Sequence, residues 1–482
     1  MSAPGTPTRT TARGGGHGAG GRRAREDSPP RSGPPPEAPG RGRWIEHWDV
    51  ESPSFWNTTG RRTARRNLIW SIAAEHLGFV IWTLWSVLAV ELSDRHLSAD
   101  RLFWLVALPH LVGAVLRVPY TFAPARFGGR DWTVTATLLL LVPAVLLGIA
   151  LDDPATPYGT LLLIAATAGL GGGNFASSMA NITHFYPASH QGLALGLNAA
   201  GGNIGVSSVQ LLVPLVVTAL GLAAAGFLWV PLILLVALGA HRYMDNLRPV
   251  SPTVGGLRGA ARNPHTWLVS LLYIGTFGSF VGFATALPLL VKVEFPQSAQ
   301  AWYVHLGALV GSCARPLGGL LADRLGGARV TTWNFLAMAG AALGALAALR
   351  AHHHLSFLLA FGLLFLTAGI GNGSTYRMIP AILRARALRG VPTDDVAARS
   401  AALDTGRREA AAVLGVTSAA GALGGFLINR ALGASLADTG DSGAALLAFA
   451  AFYGLCLLLT WSCYLRRAFA TGRAPSLAGA GV

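Results

Sequence analysis

The stretch GAVLRVPYTFAPARFGG, residues 113–129, returns in altered form as GSCARPLGGLLADRLGG, residues 311–327. Aligned at an offset of 198 residues, the two keep Gly113 with Gly311, Arg117 with Arg315, Arg126 with Arg324, and both closing glycine pairs. Arg117 and Arg315 each lie inside an apolar run that reaches the roughly 20 residues needed to cross a bilayer. A guanidinium in hydrocarbon costs roughly 2.5 kcal/mol or more even on lenient scales, so a buried one faces a polar cavity and a partner. Two matching positive charges inside a membrane protein point to a dissolved anion as that partner.

The repetition extends outward. TAGLGGG (167–173) matches TAGIGNG (367–373), and GLNAAGGNIG (196–205) matches GVTSAAGALG (415–424) with glycine at the same three positions. Three matches in one order read as a parallel duplication, in which spans two, four and five are echoed by spans eight, ten and eleven. The expected fold is therefore all-α and membrane-embedded. It holds twelve transmembrane helices in two pseudo-symmetric six-helix bundles, the major facilitator arrangement, with a ligand site midway down their interface.

Composition agrees. Of 482 residues 52% are hydrophobic and only 12% charged, and apolar runs fall at about 67–92, 102–124, 132–151, 158–185, 191–219, 222–241, 266–291, 300–322, 330–349, 355–383, 408–429 and 443–465. Residues 1–62 read as a disordered Gly/Pro/Arg-rich cytoplasmic tail and not a signal peptide. The expected N-terminal bundle is 63–241, a cytoplasmic linker follows at 242–265, then the C-terminal bundle at 266–467 and a cytoplasmic tail at 468–482. A formal charge of +15 would suggest nucleic acid in a soluble protein. Here the arginines crowd alternate connections (61–66, 126–130, 242–262, 324–329, 384–408, 466–467), which the positive-inside rule explains with both termini cytoplasmic. The Gly-rich segments lack the strand that a phosphate-binding loop needs. No nucleophile–base set or metal-ligand spacing appears, so neither enzyme nor metal or cofactor site is expected, and three cysteines in apolar spans imply no disulfide framework.

Depth groups the charges. Arg117 and Arg315 lie nine residues, about 13 Å, from Arg126 and Arg324 at 1.5 Å rise per residue. Glu75 is nine residues beyond Arg66, and Arg377 seven before Arg384. The expectation is one layer of four charges; if Glu75 pairs with Arg377 and exchanges a proton, transport is coupled to protons, and if it does not, anion exchange is favoured. His76 could carry a proton or serve packing. Tyr273 and Phe277 share a helix face on which a planar anion could be clamped. Gly196, Gly202, Gly205, Gly415, Gly421 and Gly424 read as close-packing positions along which helices rock. His352–His354 read as an exposed loop end.

NFASSMANITHFYP (174–187), QGLALGLNAAGGNIGVSSVQLLVPLV (191–216) and EAAAVLGVTSAAGALGGFLI (409–428) closely resemble the nitrate/nitrite porter family of the major facilitator superfamily, and the similarity runs from about 44 to 467. The resemblance implies that Arg117 and Arg315 hold the anion, that Asn203 hydrogen-bonds it, and that Phe175, Tyr273 and Phe277 form an aromatic wall. Ala199 stands where some members have glycine. Glu75 and Arg377 resemble features of a proton-coupled branch. The implied function is alternating-access transport of nitrate and nitrite, by proton symport or nitrate/nitrite antiport, in a monomer of the bacterial inner membrane. The alternative is a facilitator of another small anion, such as a carboxylate or phosphate.

Overall fold

A computed structural model describes residues 43–95, 97–248, 259–298, 303–392 and 394–466, with a few isolated residues beyond. Residues 1–42, residues 249–258 of the linker and most of the segment after 466 lie outside it, so the tail assignments at 1–42 and 468–482 fall largely outside the described residues. Among the described residues, twelve helices are long and apolar enough to span a membrane. The N-terminal six are α1 (Pro53–Arg95), α2 (Ala99–Phe127), α3 (Gly129–Asp152), α4 (Tyr158–Phe185), α5 (Ser189–Leu220) and α6 (Ala224–Tyr243). The C-terminal six are α7 (Pro264–Glu294), α8 (Val304–Leu325), α9 (Gly327–Arg350), α10 (His354–Ala387), α11 (Val396–Thr439) and α12 (Gly443–Leu465).

The duplication is visible in the packing. Gly128 and Gly326 end α2 and α8 with the same φ of 91°, a left-handed turn open to glycine. A Cβ on Gly169 would lie 2.9 Å from the backbone nitrogen of Gly113, and one on Gly369 would lie 2.9 Å from the carbonyl carbon of Gly311. Thus α2 meets α4, and α8 meets α10, at backbone distance through matched glycines. Small residues at such crossings substitute for the hydrophobic drive that lipid cannot supply.

Two boundaries differ from the expectation. The region from 43 to 62 is ordered. β1 (Trp44–Ile45) pairs in parallel with β2 (Asn246–Leu247), and helix begins at Pro53. Buried Trp56 and the neighbouring Trp48 pack against Phe185 and Tyr186, and that apolar anchor outweighs the Gly/Pro composition further upstream. Buried Asp245 ties the end of α6 to the start of α1 through Arg66 and Asn67. Helix α11 also runs well past the expected 408–429. Its polar first turns lie beyond the apolar core; Asp395 caps the end by accepting from the Ala398 amide at 2.8 Å, and Gly440 stops the other end at φ 81°.

The halves meet along α2 with α11, α5 with α8, and α7 with α1. On the face away from the arginine clusters they are tied by ion pairs from Lys292 to Asp94 (3.8 Å) and from Arg430 to Asp100 (2.8 Å). Buried Gln210 of α5 adds a hydrogen bond to the Ala284 carbonyl of α7 at 2.5 Å.

Candidate functional site

Two features of the helices aim side chains at the interface. In α7 the turn Ile274–Gly278 is widened to π geometry, a distortion common at functional sites. It leaves Tyr273 and Phe277 stacked, ring centres 5.3 Å apart and 14° from coplanar. In α4, glycines at 171–173 let α1 and α2 approach closely: a Cβ on Gly172 would lie 2.7 Å from the Trp82 indole nitrogen. That indole is held by its own bond to the Pro109 carbonyl at 2.9 Å.

Arg117 is fully buried in the space so formed. Its Nε donates to the Gly172 carbonyl at 2.9 Å, and Nη1 donates to both the carbonyl and the hydroxyl of Ser418, on α11 of the other half, at 2.8 and 2.9 Å. The guanidinium carbon lies 4.7 Å from the centre of the Phe175 ring and 5.1 Å from those of Trp82 and Phe277. Its Nη2 is buried and without a hydrogen-bond partner among the described residues.

Arg315 comes from α8 to the same ring. Its guanidinium carbon is 5.6 Å from the Phe175 centre and 5.6 Å from that of Tyr376. Nη2 makes a long contact of 3.5 Å to the Tyr273 hydroxyl, and Nη1 is buried without a partner among the described residues. The expected residues Arg117, Arg315, Phe175, Tyr273 and Phe277 are therefore brought together, with Phe175 and Phe277 stacked 5.9 Å apart between the halves. Each guanidinium presents one bare nitrogen in a low-dielectric setting where an oxyanion would be bound strongly. Asn203 is fully buried with neither amide atom satisfied.

Of the two alternatives left open for Glu75 and Arg377, the structure has them unpaired. Arg377 is exposed and ion-paired to Asp323 near the C-terminal end of α8. The adjacent Tyr376, one residue and about 100° around the helix, takes the inward position, 5.8 Å from the Tyr273 ring. The layer accordingly holds three charges. Glu75 is fully buried, and its Oε2 accepts from Asn198 Nδ2 at 2.8 Å. That same amide nitrogen contacts Ser178 Oγ at 2.7 Å. Glu75 Oε1 has no partner among the described residues and faces Gly202, where a Cβ would lie 2.5 Å away. The charges of Arg117 and Arg315 reach this carboxyl. His76 instead bonds the Gly201 carbonyl through Nδ1 at 3.0 Å, a packing role. His353 caps α10 by accepting from the Ser356 amide at 3.2 Å.

The glycines divide. Gly202 and Gly205 press α5 onto α1, while Gly421 and Gly424 press α11 onto α7. A Cβ on Gly415 would touch Thr121 of the opposite half at 3.1 Å. Gly196 has nothing within 4 Å of such an atom and is no close-packing position. The sequence reading missed Tyr376, Ser418 and Asn198. Tyr376 could have been found by phasing α10 on its buried face instead of on its charges.

Residues 76–402 match the Major Facilitator Superfamily. The "Nitrate/nitrite transporter NarU" of Salmonella typhimurium is 42% identical over 88% of this chain and 96% of its own length. The protein of the same name from Escherichia coli is 40% identical over 88% and 97%. The "Probable nitrate/nitrite antiporter NarK2" of Thermus thermophilus is 34% identical over 89% and 98%. In fold the chain is similar to the xylose transporter XylE of E. coli in a partially occluded inward-open conformation. The TM-score is 0.60 at 14% identity, over 83% of this chain and 99% of that one.

Proposed function

The chain belongs to the nitrate/nitrite porters of the major facilitator superfamily, and from that premise we propose that it carries nitrate and nitrite across the bacterial inner membrane by alternating access, as a monomer with its basic face in the cytoplasm. The observation that carries the reading is the convergence of Arg117 and Arg315, from opposite halves, on one Phe175 ring with an unpartnered nitrogen on each. A planar monoanion fits between flat guanidiniums and flat rings, and bidentate hydrogen bonding suits its oxygens. The roles follow: Arg117 and Arg315 bind the charge, Asn203 hydrogen-bonds it, and Phe175, Phe277 and Tyr273 exclude water around it. The ties from Asp94, Asp100 and Gln210 to the C-terminal half are the outer closure of this conformation. Competition in proteoliposomes tests the reading. Unlabelled nitrite is expected to block labelled nitrate uptake at concentrations where acetate and phosphate do not; block by those two instead would favour a broader anion carrier.

Proton coupling is assigned to Glu75, with Asn198 and Ser178 in the place first given to Arg377. An anion between the arginines offsets their field at Glu75, so anion binding and proton uptake favour each other, a reciprocal coupling. An imposed inside-alkaline gradient is then expected to accelerate nitrate uptake severalfold in wild type and not in Glu75→Gln. Equal acceleration in both would remove Glu75 from the coupling. No acceleration in either, with nitrate efflux driven by external nitrite, would establish exchange instead.

A further inference from the structure

We infer that Asn372 of α10 is a further anion-binding residue, donating its side-chain amide to the bound oxyanion and favouring nitrate over nitrite. This rests on the function proposed above and deepens it, because it names the contact that separates three oxygens from two.

The Asn372 side chain is fully buried, and among the described residues neither its Nδ2 nor its Oδ1 has a partner. Buried amides are rarely left so, and each such group calls for an explanation. Its neighbours fix its direction. Gly371 faces Asn334 of α9 and Thr276 of α7, Gly373 lies against the Arg315 carbonyl of α8, and Ser374 bonds Thr331 of α9 at 2.9 Å. At about 100° per residue, Asn372 is turned away from α9 and into the wedge between α7 and α8, level with the backbone of Arg315. One turn further on the same face stands Tyr376, whose ring meets Arg315 and Tyr273 in that wedge. Arg315 Nη1 and the Thr375 hydroxyl are also buried without partners. An unsatisfied guanidinium nitrogen and a whole unsatisfied amide thus belong to the residues that border this wedge.

The duplication sharpens the point. In the alignment of TAGLGGG with TAGIGNG, Asn372 occupies the position of Gly172. In the N-terminal half that position offers Arg117 only a backbone carbonyl; in the C-terminal half it brings a donor. With the role proposed above for Asn203 of α5, each half contributes one arginine and one asparagine. Arg117 Nη2 and Arg315 Nη1 serve two oxygens of the anion, and Asn372 serves the third, which nitrite lacks.

The measurement is initial-rate uptake of nitrate and of nitrite by purified wild type and variants in proteoliposomes, with elution profile and thermal midpoint as checks of folding. Asn372→Ala is expected to raise the nitrate KM about tenfold or more, the weight of one hydrogen bond to a charged group, and to change the nitrite KM less than about threefold. Asn372→Asp has the same shape but only acceptors, and is expected to abolish nitrate uptake. If Asn372 merely held Arg315 through its carbonyl, Asp would do so equally well. Nitrate uptake at wild-type rates in Asn372→Asp, or an unchanged nitrate-to-nitrite KM ratio in Asn372→Ala, overturns the inference. Wild-type vesicles that took up neither anion would overturn the functional reading itself.

Discussion

Arg117→Lys is expected to lower nitrate uptake by more than about a hundredfold while the protein still reaches the membrane. A lysine keeps the charge but is a compact point, whereas this guanidinium reaches three acceptors through Nε and Nη1 and lies within 5.1 Å of the centres of the Trp82, Phe175 and Phe277 rings. Hydrogen bonds to a charged group are worth about 1.5–3 kcal/mol each. Losing two of them at the site, beside the anion contact from Nη2, exceeds the roughly 2.7 kcal/mol that separates a hundredfold difference. Arg315→Lys is expected to fail as a transporter too, but to cost less stability, since Arg315 has a single long bond to Tyr273. Uptake assays with surface-matched protein amounts decide it. A lysine at 117 that retained a tenth of the wild-type rate would refute the role given to the guanidinium.

The second large effect falls on the glycines. Gly278 of α7 and Gly424 of α11 cross so closely that a Cβ on either would lie 2.7–2.8 Å from the other's Cα. Gly424→Val is expected to force α11 off α7, displacing Tyr273 and Phe277, and to reduce uptake at least about tenfold together with the thermal midpoint, since overpacking alone costs about 1–3 kcal/mol. Gly196→Ala meets open space and, with alanine's better helix propensity, is expected to leave uptake within about twofold. Equal behaviour of the two variants would mean that contact distance does not set which glycines matter.

Much of this was legible beforehand because membrane helices obey few rules. Span length, the arginine asymmetry of the loops and the internal repeat located the twelve helices, and the same repeat paired Arg117 with Arg315. What stayed hidden depended on rotation about helix axes. Counting residues from the loops places Arg377 at the right depth, yet depth says nothing about azimuth, and Asp323 claims it on the surface while Tyr376 turns inward. The partner of Glu75 is likewise a tertiary fact: Asn198 lies more than a hundred residues away and reaches it only because Gly202 lets α5 close on α1. The ordered start at Trp44 was masked by the composition of the residues before it.

The bond from Arg117 to Ser418 has one more consequence. It joins the two halves at the level of the site using protein atoms alone, so part of the repulsion between the arginines and their unsolvated surroundings is relieved without cargo. A carrier able to lock shut on its own residues can make the homeward half of its cycle unladen. Such a cycle permits net flow of substrate in one direction, whereas a strict swap of one ion for another would require that unladen passage to be forbidden.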